Sequence, residues 1–129
     1  MKKKIFSIVL LFAFLIPCLT LLTACGKIKS LDGKTLVFAK VEVTGSISKG
    51  DYEDEYKKHT FVFSETEVDF SDGTNEDTFN YKLENGKLYT KSKTASDYPE
   101  DAFAEIDGKY MVVSLTAEGG VVKVYFKVK

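Results

Sequence analysis

The sequence predicts an all-β domain, an eight-stranded antiparallel up-and-down meander closed into a small barrel, preceded by an N-terminal signal helix. Three observations carry this prediction. From Lys34 to the end of the chain, apolar residues recur at alternate positions, which is the pattern of strands with one buried face. Asn-Gly and Asp-Gly dipeptides separate several of these runs, as tight hairpins require. The first 24 residues differ in kind from everything after them, being basic and then apolar.

That opening segment begins with Met1-Lys2-Lys3-Lys4, a basic n-region, and continues as an apolar stretch from Ile5 to Leu22 interrupted by Pro17. It closes on Leu22-Thr23-Ala24-Cys25. These four residues resemble the lipobox of bacterial lipoproteins. The resemblance implies that residues 1–24 are a cleaved signal peptide, that Cys25 becomes the first residue of the mature chain, and that its thiol carries a diacylglycerol. A thiolate is the strongest nucleophile available for such a thioether linkage. Two or more acyl chains hold a protein stably to a bilayer where one holds it only marginally. A retained transmembrane anchor over Ile5 to Ala24 and a secreted protein cut near Ala24 are the competing readings. Neither requires a Cys directly after Leu-Thr-Ala.

Cysteine usage follows from this division. Cys18 lies in the apolar segment and leaves with it, so the mature domain keeps only the lipid-attached Cys25 and has no disulfide. Its stability must come from an ordinary core. Loss of Lys2, Lys3 and Lys4 takes the 18 basic residues to 15 against 19 acidic, a balance of −4. Every basic residue is Lys. Without the bidentate fork of Arg and with an acidic balance, nucleic acid is not an expected partner. The expected organisation is a signal peptide over residues 1–24, a lipidated tether over 25–33 and a β-barrel domain over 34–129. The tether, Gly26-Lys27-Ile28-Lys29-Ser30, is short enough to keep the domain near the membrane, and its lysines are candidates for contact with anionic headgroups.

The strands are justified in order. Val37, Ala39, Val41 and Val43 alternate with Phe38, Lys40, Glu42 and Thr44, as in a half-buried strand. Phe61 and Phe63 form the second run, with His59 on the same parity; Val68 and Phe70 form the third. Phe79, Tyr81 and Leu83 alternate with Asn80, Lys82 and Glu84 in the fourth. Lys87 to Lys91 and Ala102 to Ile106 are short strands, Lys109 to Thr116 a longer one. In the eighth, Val122, Val124, Phe126 and Val128 alternate with Lys123, Tyr125, Lys127 and Lys129. No full helix is expected; Asp51 to Lys58 and Asp97 to Phe103 are the stretches able to form a helical turn.

Asn85-Gly86 and Asp107-Gly108 suit type I′ hairpins, in which both central residues need positive φ, and Asp72-Gly73 and Glu118-Gly119-Gly120 suit longer turns. Tight turns make neighbours antiparallel. Closing strand one against strand eight then removes two exposed edges, which favours a barrel over the alternative, a two-sheet β-sandwich. An eight-stranded barrel has an interior that side chains can fill or that can hold one small ligand.

Leu31-Asp32-Gly33-Lys34 before the first strand, together with the lipobox, the size and the meander, resembles the small lipocalin-like lipoproteins of bacteria. That family commonly follows its Leu-x-Gly-x motif with a Trp that plugs one end of the barrel. This chain has Thr35 there and no Trp. The resemblance implies a fold and does not by itself imply a ligand.

The residues give little support to catalysis. His59 is the sole histidine, with no partner motif for a metal pair or a catalytic dyad. Asp51, Glu53, Asp54 and Glu55 form one acidic cluster, and Asp72, Asn75, Glu76 and Asp77 another; neither has EF-hand spacing, and both read as solvated loop charge. Tyr81, Tyr89, Tyr110 and Tyr125 fall in strands and Tyr52, Tyr56 and Tyr98 in connections, where they cover a barrel wall or serve an interface. No catalytic residue, metal site or cofactor is expected, and Cys25 is the one assigned site, for lipid attachment. The expected function is a non-catalytic, monomeric interaction module, extracytoplasmic and lipid-anchored to the cell membrane, meeting an envelope protein or a polymer through its loops or outer tyrosines. The alternative is a carrier or sensor of a small apolar or amphipathic ligand held in the barrel. A solid core of Phe38, Phe61, Phe63, Phe79 and Phe126 would support the first reading, and a continuous internal pocket the second.

Overall fold

The structure is a computed structural model and describes residues 27–129. The expected signal peptide, residues 1–24, and the expected lipid-attachment site, Cys25, lie outside these residues. Eight strands run in chain order: β1 (Thr35–Val43), β2 (Thr60–Phe63), β3 (Glu67–Ser71), β4 (Glu76–Glu84), β5 (Lys87–Ser92), β6 (Ala104–Asp107), β7 (Tyr110–Ala117) and β8 (Gly120–Val128). Each pairs antiparallel with the next, and β8 pairs with β1 to close the barrel. The closed meander is therefore the architecture, and the sandwich is not.

Closure rests on β8, which is hydrogen-bonded along its length to β7 on one side and to β1 on the other. Its period-two pattern places Val122, Val124 and Phe126 inside, each essentially without solvent exposure. β1 departs from the alternation that its sequence suggests. Leu36 pairs with Val128 and Phe38 with Phe126, but Tyr125 pairs with Lys40, so Ala39 is an extra residue in a bulge. The bulge reverses the parity within the strand. Leu36 and Phe38 face the core before it and Val41 and Val43 after it, so the unbroken alternation expected from Val37 to Thr44 does not hold across Ala39.

The turns follow local chemistry. Asn85 and Gly86 both have positive φ, at 51° and 77°, as a type I′ hairpin demands. Asp107, by contrast, is the last residue of β6, and the turn is Gly108-Lys109 with positive φ only at Gly108. That is the II′ pattern, in place of the expected I′. After β1 the chain crosses the β7–β8 turn so closely that a Cβ on Gly45 would land on the Gly119 carbonyl oxygen, and one on Gly120 on that of Thr44. Backbone bonds from Thr44 N–H to Val121 O (2.9 Å) and from Ser46 N–H to Gly119 O (3.2 Å) fix the crossing.

Two segments expected to be irregular have structural roles. Lys49–Tyr56 is a helix, α1, where at most a helical turn was expected. Asp51 in its first turn complements the helix dipole, and Tyr52 and Tyr56, four residues apart, stack with ring centroids 6.4 Å apart. β2 pairs only with the first residues of β1, Thr35 to Val37. Ile47, Tyr52 and Tyr56 of the α1 segment pack against the core on that side. The stretch treated as tether also joins the core: Ile28 and Leu31 are 8% and 1% exposed. Ile28 N–H donates to Gly108 O at 2.8 Å and Gly33 N–H to Phe63 O at 3.0 Å, so this segment covers the end of the barrel where β1 begins. All eight strands and the segments covering both ends thus lie within residues 27–129.

Candidate functional site

The barrel interior is unevenly filled. Around Phe126 it is solid, with the Phe126 ring edge-on to Phe38 (6.4 Å) and to Phe61 (5.0 Å). On the other side of Phe61, between β2, β3, β4 and β5, lies a cavity of about 300 Å³. Its lining is Phe61, Phe63, Val68, Phe70, Phe79, Leu88, Thr90 and Phe103. Seven of these eight are apolar, and Thr90 is the only one with a polar side chain.

The barrel's own pairing explains why the cavity is there. β5 and β6 pair only at Lys87 with Glu105 and at Leu88 with Ala104. β6 begins at Ala104, so beyond Leu88 β5 has no β6 partner, and the β5–β6 connection spans the gap, tied by Phe103 N–H to Leu88 O at 2.8 Å and by Lys91 Nζ to Ala95 O at 2.9 Å. Phe103 lines the cavity and is still 40% exposed, so it stands where the cavity meets solvent. Asp97 to Phe103, the second candidate for a helical turn, is not helical.

His59 lies at the end of the barrel where α1 packs, between the Tyr56 ring (4.6 Å) and the Phe70 ring (5.0 Å). Burial there holds its pKa below the ordinary imidazole value, against a weaker opposing pull from Asp72 and Glu55. The Asp72 carboxylate accepts the backbone N–H groups of Thr74 (2.9 Å) and Asn75 (2.7 Å), and these bonds lower its pKa. Its oxygens thus serve the β3–β4 turn. Among the described residues, no three His, Cys, Asp or Glu side chains converge as metal ligands would. The acidic cluster over Asp51 to Glu55 lies on α1, where Tyr52 and Tyr56 pack on the core while Asp51, Asp54 and Glu55 are exposed.

The tyrosines divide by location. Tyr81 is inside, its hydroxyl donating to Ser64 O at 2.7 Å, and burial raises its pKa. Tyr125 packs edge-on to Tyr110 on the outer wall (5.3 Å) and donates to Glu42 at 2.8 Å. That bond raises the Tyr125 pKa and lowers that of Glu42. Lysines lie over these outer rings, Lys40 at 4.7 Å from Tyr125 and Lys82 at 5.0 Å from Tyr98. A scan against protein-family models gives no match, and searches of curated proteins and of solved structures give none either. The reading of function rests on the geometry.

Proposed function

We propose that this protein is a non-catalytic binding module of the bacterial cell envelope, lipid-anchored through Cys25 and monomeric, that holds one small apolar or amphipathic ligand in its barrel. The observation that carries the proposal is the apolar cavity of about 300 Å³ bounded by Phe61, Phe79 and Phe103. Small-molecule pockets span roughly 300–1,000 Å³, are mostly apolar and carry few polar groups. This cavity sits at the small end of that range, and Thr90 is the one polar side chain in its wall that could orient a ligand. It favours the ligand carrier over the interaction module. The Leu31-Asp32-Gly33-Lys34 stretch and the lipobox resemblance support the lipocalin-like lipoprotein assignment, and no cofactor is invoked.

Titration with N-phenyl-1-naphthylamine, a neutral apolar fluorophore, tests the reading. One saturable site is expected, with NMR contacts from the probe to the rings of Phe61, Phe79 and Phe103. Non-saturable uptake, or contacts only to the outer rings of Tyr110 and Tyr125, would defeat it.

A further inference from the structure

Beside the end of the barrel covered by the N-terminal segment, on the outer wall of β1 and β8, lies a second concavity of a different character. A pocket of about 330 Å³ is walled by Lys27, Lys34, Lys40, Lys109 and Lys127. These lysines come from four separate places: the segment before β1, β1 itself, the β6–β7 turn and β8. Closure of β8 on β1 and the hydrogen bond from Ile28 N–H to Gly108 O bring them together. Lys40 is paired with Glu42 at 3.1 Å, and among the described residues the other four make no ion pair. Asp32, Glu65, Glu84 and Asp107 stand at the same end of the barrel, but none of them lines the pocket.

We propose that this lysine-walled end is a membrane-docking face that takes the phosphate headgroups of anionic lipids. Charge complementarity is the first argument. Four of the five ammonium groups have no carboxylate partner among the described residues, which favours a phosphate, and the opposite end of the barrel presents the exposed carboxylates of Asp51, Asp54, Glu76 and Glu118, which an anionic surface repels. The composition of the pocket is the second. Val128, 41% exposed, lies among the lysines, a mixture suited to the boundary between headgroups and acyl chains. Chain connectivity is the third. Cys25 is two residues before Lys27, a span of no more than about 7 Å, so a lipid on that residue would bring this end to the bilayer. The face would hold the barrel upright, with the acidic end and α1 directed outward.

The test uses residues 26–129, which contain all eight strands and the segments covering both ends and carry no lipid, so it is independent of both the anchor and the apolar cavity. Sedimentation with vesicles of phosphatidylcholine containing phosphatidylglycerol, at low salt, is compared with sedimentation with phosphatidylcholine alone. Binding is expected to the anionic vesicles only and to weaken as salt is raised. Each lysine near an anionic surface contributes a factor of about five, so the triple variant Lys27→Ala, Lys109→Ala, Lys127→Ala should lose about a hundredfold in partitioning. Lys49→Ala, Lys57→Ala, Lys58→Ala, with the same charge change at the opposite end, should lose far less. Equal losses in the two variants, binding to neutral vesicles, or no binding to either would overturn the proposal. If inorganic phosphate instead saturates shifts of the Lys34 and Lys109 amides while the vesicles bind nothing, the lysines hold a soluble anion and the membrane assignment falls.

Discussion

Thr90→Phe tests the cavity through the sign of a stability change. Thr90 is half-buried in β5, paired with Tyr81, and its side chain borders the cavity. A phenyl ring placed there either occupies existing space or is forced into a packed core. Burial of a Phe side chain contributes about 2–3 kcal/mol. Lost rotamer freedom and minor adjustment of Phe79 and Phe103 offset part of this, and cavity-filling changes typically net about 0.5–2 kcal/mol. Overpacking a filled core costs about 1–3 kcal/mol. The two cases therefore differ in sign as well as in size. The expected result is a gain near 1 kcal/mol, a rise in Tm of about 4–8 °C for a domain of this size, together with loss of the naphthylamine site. Thermal unfolding followed by near-UV circular dichroism of the tyrosines reads the first, and fluorescence titration the second. A destabilised Thr90→Phe variant would mean that the space between Phe61, Phe79 and Phe103 is closed in solution.

Three further predictions follow from other parts of the molecule. Burial holds the folded pKa of His59 below the ordinary imidazole value of about 6.5, so on acidification the unfolded chain takes up the proton first; the stability contribution of the neutral ring is complete above that value and is lost as the pH falls below it toward the folded pKa. Tm should therefore fall between about pH 7 and pH 5 more steeply in the wild type than in His59→Phe, and equal slopes would show that the ring is solvated in the folded state. Truncation after Gly120 removes Val122, Val124 and Phe126 and breaks the pairings of both β1 and β7, so the cooperative unfolding transition should disappear; a surviving transition would make β8 peripheral. Cys25→Ala should abolish palmitate labelling and move the protein to the soluble fraction after a salt wash, while persistent retention would identify the apolar segment from Ile5 to Leu22 as the anchor.

The fold was legible in the sequence wherever one face of a strand is apolar and its ends are marked by turn residues. β4 and β8 lie within a few residues of their expected bounds, and Asn85-Gly86 makes the expected turn. The parity of β1 was not legible, because a bulge at Ala39 depends on register with β8 and leaves no mark in the local alternation. α1 escaped because its only large apolar side chains are Tyr52 and Tyr56, too few to give a helical period; their partners are distant in sequence. Ile28 and Leu31 stood in a short, lysine-flanked stretch that reads as linker, and only the closed barrel provides the end that they cover. The cavity depends on where β5 and β6 separate, and the lysine pocket on four segments meeting at one rim. Both are properties of closure, and no single stretch of sequence carries them.

Native mass spectrometry of the protein released from the membranes of its own cells, wild type beside Thr90→Phe, measures the central claim most directly. Ligand binding in the cavity predicts a wild-type mass above that of the lipidated chain by one small apolar molecule, and no such excess in the variant. Identical spectra for the two proteins, at the mass of the lipidated chain or with the same adduct on both, would contradict it.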